Sequence, residues 1–328
     1  MKILFWGGFE SNTGPSNINR KIVNNLTERF VCVTTPGKFR ELVTALWMLL
    51  RSDVLLVSGV SRKGAALARV AKILRKPSAY LMHGCAEQEY LLNGIQPDEK
   101  GLKYERCLLE YSDLILPVSK RYMEWAKKQY PQYAHKMDYV YNGVDAELFA
   151  NPDMRNKEPG TVAVSGGLSR LKNNLVVAEA VEALEGKACL RIYGGRKQPL
   201  PERYRHTERM GKLSNEQFLN QLRQTSLFVL NSLLESFSIA ALEALACGCS
   251  VLVSEVAGVC DLLALEETDI IHDPMDVDEI RSKIDYLLDH PNYERLRSQF
   301  DPEQWSFAKM VENLEAKCEA LLRSDSGK

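Results

Sequence analysis

Short apolar runs alternate with longer amphipathic stretches along this chain. Lys2 to Trp6, Val31 to Thr34, Val54 to Ser58, Ser78 to His83 and Leu114 to Val118 are brief and rich in Val, Ile and Leu, as buried strands are. Positions 39–50, 62–75, 98–111 and 119–128 between them space their apolar residues at helical intervals. Strand followed by helix, repeated, predicts a parallel, doubly wound sheet. A loop rich in glycine and polar residues, Gly7 to Ser16, follows the first strand and leads into a helix expected to end near Glu28. Its glycines do not form G-x-G-x-x-G, so a dinucleotide fingerprint is absent, although a ligand could still approach this backbone.

The second half repeats the rhythm. Thr161 to Val164 reads as a strand, Gly166 to Asn173 as a loop, Leu175 to Leu184 as a helix and Cys189 to Tyr193 as a strand. Ser214 and Gln217 have capping-box spacing for a helix running to Gln224, and Leu227 to Leu230 is the next strand. Asp276 and Asp278 make a D-x-D, but Asp276 with Glu279 reads better as a capping box than as a metal site. Pro302 to Leu322 forms a long amphipathic helix, and Ser324 to Lys328 are expected to fray. The halves are separated by a polar stretch rich in Asn, Asp, Pro and Gly, Tyr141 to Pro159. A chain of 328 residues exceeds one ordinary core, so we expect domains at 1–150 and 151–301, followed by a terminal helical segment, 302–328.

Charge changes this picture in one place. The net charge is −1, yet residues 1–150 carry 21 Lys/Arg against 15 Asp/Glu and the remainder 21 against 28. Most of the basic excess lies in residues 38–76, across two cationic amphipathic helices. Such helices suit an anionic membrane surface, or else they simply pack on the sheet with their charges solvated. Nucleic acid is a poor fit, because the basic block lacks interleaved stacking aromatics. The eight cysteines have no metal-ligand spacing and sit in apolar segments, which suggests buried reduced thiols. The opening Met1 to Phe5 reads as a first strand rather than a signal peptide, and no apolar run approaches the length of a membrane span.

The densest candidate chemistry is Leu234 to Gly258. Glu235 and Glu243 stand eight residues apart, the first just before a helix and the second in its second turn. A helix start offers free N–H groups and a positive dipole end to a phosphate or diphosphate, and carboxylates accept hydrogen bonds from sugar hydroxyls. The plain alternative is a capped amphipathic helix with Glu243 on a wet face. Five segments in order turn that balance: YNGVDAELF at 141–149, SGGLSRLKN at 165–173, RIYGG at 191–195, MGKLS at 210–214 and ESFSIAALEALACGCSVLVSEVAG at 235–258.

Together they resemble the retaining GT-B glycosyltransferases of the family-4 type, glycosyl transferases group 1. The resemblance implies two Rossmann-like domains facing across a cleft, with the terminal helix crossing back to the first domain. It implies that the second domain holds a nucleotide-sugar donor and the first an acceptor. Carried over by residue, Glu243 would hold the ribose, Glu235 the transferred sugar, and Lys172 with the amides of Ile239 and Ala240 the diphosphate. His83, in LMHG at a strand end, matches a family histidine at the acceptor edge, whereas alone it would read as a structural histidine. Three departures stand out. Gly167 occupies a position usually held by Arg, for which Arg170 could substitute. Ser236 and Ser238 stand where glycine is common, and a serine there could make the turn and even cap the helix. In the first loop only Gly14 resembles the family's glycine pair, and its backbone could still approach the donor phosphates.

The expected activity is therefore metal-independent, retaining transfer of a sugar from a nucleoside-diphosphate sugar to a hydroxyl, with UDP-sugar favoured as donor and GDP-sugar the alternative. No further cofactor is expected. The cationic helices favour a lipid-linked glycan acceptor in surface polysaccharide synthesis, with the protein cytoplasmic and peripheral on the inner face of the plasma membrane. The competing readings are a nucleotide-sugar epimerase on the same architecture and a non-catalytic nucleotide-sugar-binding protein.

Overall fold

The structure, a computed structural model, describes residues 1–9, 14–33, 38–150, 157–195 and 200–325. The chain forms two units. The first comprises Met1–Leu91, Ile95–Gly143 and Glu303–Lys328, and the second Leu92–Gly94 and Val144–Pro302.

The N-terminal elements run β1 (Ile3–Gly7), α1 (Gly14–Asn24), β2 (Phe30–Cys32), α2 (Lys38–Arg51), β3 (Val54–Ser58), α3 (Arg62–Ile73), β4 (Ser78–Met82), α4 (Ala86–Asn93), α5 (Glu99–Tyr111), β5 (Leu114–Pro117) and α6 (Lys120–Gln129). The five strands pair in the order β2-β1-β3-β4-β5, all parallel. Burial on both faces explains why they read as continuous apolar runs, since helices cover each side of a parallel sheet. Local chemistry starts the helices where expected: the Ser61 and Ser119 side chains accept from the backbone N–H of Gly64 and Tyr122, at 3.0 and 3.1 Å. Helix α1 ends at Asn24, short of Glu28, because Asn25 and Leu26 turn back onto the carbonyls of Ile22 and Val23. Helix α4 has no apolar face and no fully buried residue, so periodicity gave no signal for it.

The chain continues through α7 (Glu147–Ala150), β6 (Glu158–Val164), α8 (Asn174–Glu182), β7 (Cys189–Tyr193), β8 (Thr207–Gly211), α9 (Asn215–Leu222), β9 (Thr225–Leu230), α10 (Ile239–Ala246), β10 (Ser250–Ser254), β11 (Ile270–Ile271), α11 (Val277–Asp289), α12 (Tyr293–Gln299) and α13 (Phe307–Asp325). The second sheet, β11-β10-β9-β6-β7-β8, is also parallel. Val177, Val181, Leu190, Ile192, Leu227, Ile280 and Ile284 lie in one fully buried core between its strands and helices. Strand β8 carries Thr, Glu and Arg, which hid it from the apolar pattern.

Two caps test the sequence reading closely. Ser214 and Gln217 form the expected reciprocal box at α9. The Asp276 carboxylate caps α11 by accepting from the N–H groups of Asp278 and Glu279, but the return half of the box is missing. Glu279 turns instead to the N–H groups of His272 and Asp273, both at 2.9 Å.

The terminal helix α13 begins at Phe307, five residues later than expected, and belongs to the first unit. Glu315 accepts from Thr27 at 2.9 Å and pairs with Arg29 at 2.7 Å, while Lys317 pairs with Asp138. Gly143 lies directly on this helix. A β-carbon there would come within 2.5 Å of the Phe307 Cα, a backbone atom that cannot swing aside. We expect Gly143→Ala to destabilise the chain by about 2 kcal/mol through overpacking, read as a lowered urea midpoint. An unchanged midpoint would show that α13 is not held there.

Candidate functional site

The second unit gathers its polar residues at the C-terminal ends of its strands, where ligands bind in open parallel sheets. After β6 the chain passes Gly166 and Gly167, both in the left-handed region at φ +89° and +66°. Asn174 fixes this turn by donating to the carbonyls of Ser165 and Gly167, at 2.9 and 2.7 Å. The turn leads to a single 3-10 turn, Arg170–Lys172. The Lys172 stem lies over Gly166, so closely that an added β-carbon would meet its Cγ at 2.6 Å.

Lys172 Nζ pairs with Glu235 Oε2, and Ser232 Oγ donates to the same oxygen at 3.2 Å. Glu235 is placed by its backbone neighbours. The Leu233 N–H donates to the Leu171 carbonyl at 2.9 Å, and the N–H groups of Gly258 and Val259 donate to Glu235 and Phe237. The carboxylate is 11% exposed and the lysine 25%, so each charge needs the other. Removing one partner of a largely buried pair leaves the other uncompensated.

Helix α10 then starts from Ser238, which is left-handed at φ +80° and makes no side-chain cap. The serine therefore supplies the turn but does not cap the helix. A β-carbon in this conformation costs on the order of 1 kcal/mol, which explains why glycine is common there. The first amides of α10, including Ile239 and Ala240, thus receive no bond from the Ser238 hydroxyl. Glu243, one turn further, accepts from Asn215 Nδ2 at 3.1 Å.

Of the residues singled out in the second unit, Lys172 and Glu235 come together at the head of α10, while Arg170 goes elsewhere. Its guanidinium lies on Gly94, where an added β-carbon would approach Nη1 at 2.7 Å. Gly167 cannot readily carry a longer side chain, because a β-carbon would stand 3.0 Å from the Gly194 carbonyl oxygen. Sequence reasoning missed Arg209, 9% exposed on β8. Its Nη2 would lie 3.6 Å from a β-carbon on Gly195, whose own β-carbon would meet the Gly167 Cα at 3.7 Å. It also missed Ser232 and Asn215, and the position of Ser232 just past the end of β9 was the available signal.

The first unit holds a cavity of about 320 Å³ lined by Gly8, Ser16, Asn19, Ser58, His83 and Glu89, among others. It lies at the C-terminal ends of β1, β3 and β4. Asn19 donates to the Gly8 carbonyl at 3.0 Å, Ser58 Oγ lies 2.6 Å from Asn19 Oδ1, and His83 Nε2 lies 2.8 Å from the same Oγ. Gly7 is needed for this approach, since a β-carbon would strike Asn19 Nδ2 at 2.6 Å. What comes close to that loop is therefore a side chain of α1. Gly14 is the first residue of α1, and a β-carbon on it would meet nothing within 4 Å. Burial lowers the His83 pKa to about 4.

The two parallel α/β units have the fold of the GT-B glycosyltransferases. Residues 146–303, most of the second unit, match the model of the family described as glycosyl transferases group 1. Among solved structures, HepE of Anabaena in complex with UDP-glucose is 14% identical, covering 98% of this chain and 100% of that one at a TM-score of 0.72. Sucrose-phosphate synthase from Thermosynechococcus elongatus is 16% identical, covering 99% and 100% at 0.71. The apo form of WaaB, a lipopolysaccharide outer core galactosyltransferase, is 15% identical, covering 97% and 100% at 0.67. No curated protein sequence matches significantly.

The lowered pKa of His83 has a consequence for stability. With a folded value of about 4 against an ordinary 6.5, the unfolded chain binds the extra proton first as pH falls. The stability held above pH 6.5 is therefore lost between 6.5 and 4, by about 3 kcal/mol. Urea unfolding across that window should show the loss in the wild type and not in His83→Gln. Parallel curves for the two proteins would contradict it.

Proposed function

We propose that this protein transfers a sugar, with retention at the anomeric carbon, from a nucleoside-diphosphate sugar to a hydroxyl acceptor. The observation that carries this reading is the Lys172–Glu235 pair beside the head of α10. In this reading the second unit holds the donor. Lys172 and the amides of Ile239 and Ala240 take the diphosphate, Glu235 accepts from hydroxyls of the transferred sugar, and Glu243 from the ribose. As the sugar–phosphate bond breaks, charge builds on the departing diphosphate, and a fixed cation and helix dipole stabilise it without reorganisation. No carboxylate is asked to act as a glycosidase-type nucleophile. The acceptor attacks on the face the phosphate leaves, giving up its proton to that phosphate, with no metal required. Arg209 is a better placed second cation than Arg170, because it comes to the glycine turns from β8. UDP-sugar is the first donor to test and GDP-sugar the second; HepE was solved with UDP-glucose.

The acceptor in this reading is a lipid-linked glycan, reached at the cytoplasmic face of a membrane. Among the described residues no helix is long and apolar enough to cross one. Support for surface contact comes from α2, where Ala45 and Leu49 are buried while Val43, Trp47 and Leu50 are about half exposed on the opposite stripe. Lys76 Nζ donates to the Leu50 carbonyl at 3.1 Å, which brings the end of α3, with its exposed Ile73 and Leu74, beside Leu50. Arg51 stacks on Trp47 with its guanidinium carbon 4.0 Å from the ring centre. Apolar side chains rimmed by arginines suit an anionic lipid interface.

Two measurements test these readings. In a thermal-shift panel of UDP, GDP, ADP and their sugars, one nucleotide family should raise the unfolding temperature, and Lys172→Ala should abolish that rise. A panel without any rise, in protein shown to be folded, would remove the donor reading. Separately, Trp47→Ala with Leu50→Ala and Ile73→Ala should cut co-sedimentation with anionic vesicles at least about tenfold. Equal binding by this variant would remove the membrane reading alone.

A further inference from the structure

We infer that Asn19 and Ser58 are positioning residues that lock His83 as the Nε2–H tautomer, leaving Nδ1 to accept a hydrogen bond from a ligand hydroxyl in the first unit's cavity. The identity of that hydroxyl, on a sugar, rests on the sugar-transfer reading; the tautomer does not.

A backbone carbonyl only accepts, so the Asn19 atom 3.0 Å from the Gly8 oxygen must be the amide nitrogen. The amide oxygen then faces Ser58 Oγ at 2.6 Å. An amide oxygen also only accepts, so the Ser58 proton points toward it. What Ser58 offers His83 is therefore a lone pair, and Nε2, at 2.8 Å, must donate. A neutral imidazole has one ring proton, so Nδ1 carries a lone pair. Burial keeps the ring neutral, with its pKa lowered to about 4.

His83 is 9% exposed, and Nδ1 is a buried atom without a hydrogen-bond partner among the described residues. A buried acceptor left unmatched is costly in a folded protein and calls for a partner. His83 lines the cavity of about 320 Å³ with Nδ1 itself covered, so a hydroxyl reaches this nitrogen only after a small shift of the wall over it. An aromatic nitrogen lone pair selects an O–H donor and repels a phosphate oxygen or a carbonyl. So weak a base orients the hydroxyl rather than removing its proton at neutral pH.

Nitrogen-15 NMR of the histidine rings in the full chain at pH 7, assigned with His83→Gln, reads the tautomer directly. The expected result is a protonated Nε2 and an unprotonated Nδ1. Ser58→Ala and Asn19→Leu should shift that signal toward a mixture and lower kcat/KM for the acceptor about tenfold. KM for the nucleotide sugar should stay unchanged, and Ser58→Thr, which keeps the hydroxyl, should restore both readouts. A proton on Nδ1, a doubly protonated ring, or an unchanged tautomer in Ser58→Ala would overturn the inference. Should the variants fail to fold, the wild-type spectrum alone decides. An intact Nε2–H signature without any sugar transfer would sink the transfer reading and leave the tautomer lock standing.

Discussion

Parallel strands cannot be joined by tight hairpins. Each must cross back through a helix, and because the strands of a sheet then all run the same way, their C-terminal ends lie at one edge of it. Both units depend on this constraint. In the first it gathers Gly8, Ser58 and His83 from three separate strands around Asn19. In the second it brings the turn after β6 and the segment after β9 together, so that Lys172 reaches a carboxylate 63 residues away. Little in either constellation is local in sequence.

The two sites that result use different electrostatics. At the head of α10, Lys172 and Glu235 bring full charges that balance each other until something competes for the lysine. An anion arriving there would exchange one partner for another rather than meet a bare cation. The cavity around His83 is instead built on neutral groups whose directions are fixed by which atoms can donate. Long-range attraction matters at the first and hydrogen-bond geometry at the second.

Much of this was legible from the residue pattern, and the failures have physical causes. Buried parallel strands declared themselves because both faces are apolar, and the Ser214 cap was readable because its partner lies three residues away. Strand β8 was obscured by Arg209 and Glu208, and α4 by its lack of an apolar face. Glu279 went to His272 and Asp273 rather than back to its own helix, a choice that only the approach of β11 could decide. Glu235 and Lys172 were singled out by motif, and the structure pairs them. Arg170 was singled out by its nearness to Gly167, and the structure lays it on Gly94, which is remote in sequence. Ser58 and Asn19 carried no motif, and their roles exist only once three strand ends meet.

The left-handed Ser238 carries one further implication. Most helices protect their first amides with a neighbouring side chain, and α10 begins without that protection from its own N-cap residue. A substitution giving this turn a good internal cap would stabilise the fold in isolation. It would also act as a tethered competitor, present at an effective concentration that few free ligands match. On the proposal that these amides take a diphosphate, improving the helix and improving its occupancy are thus opposed at this one residue. Selection for thermal stability alone would drift toward a better capped and less receptive protein.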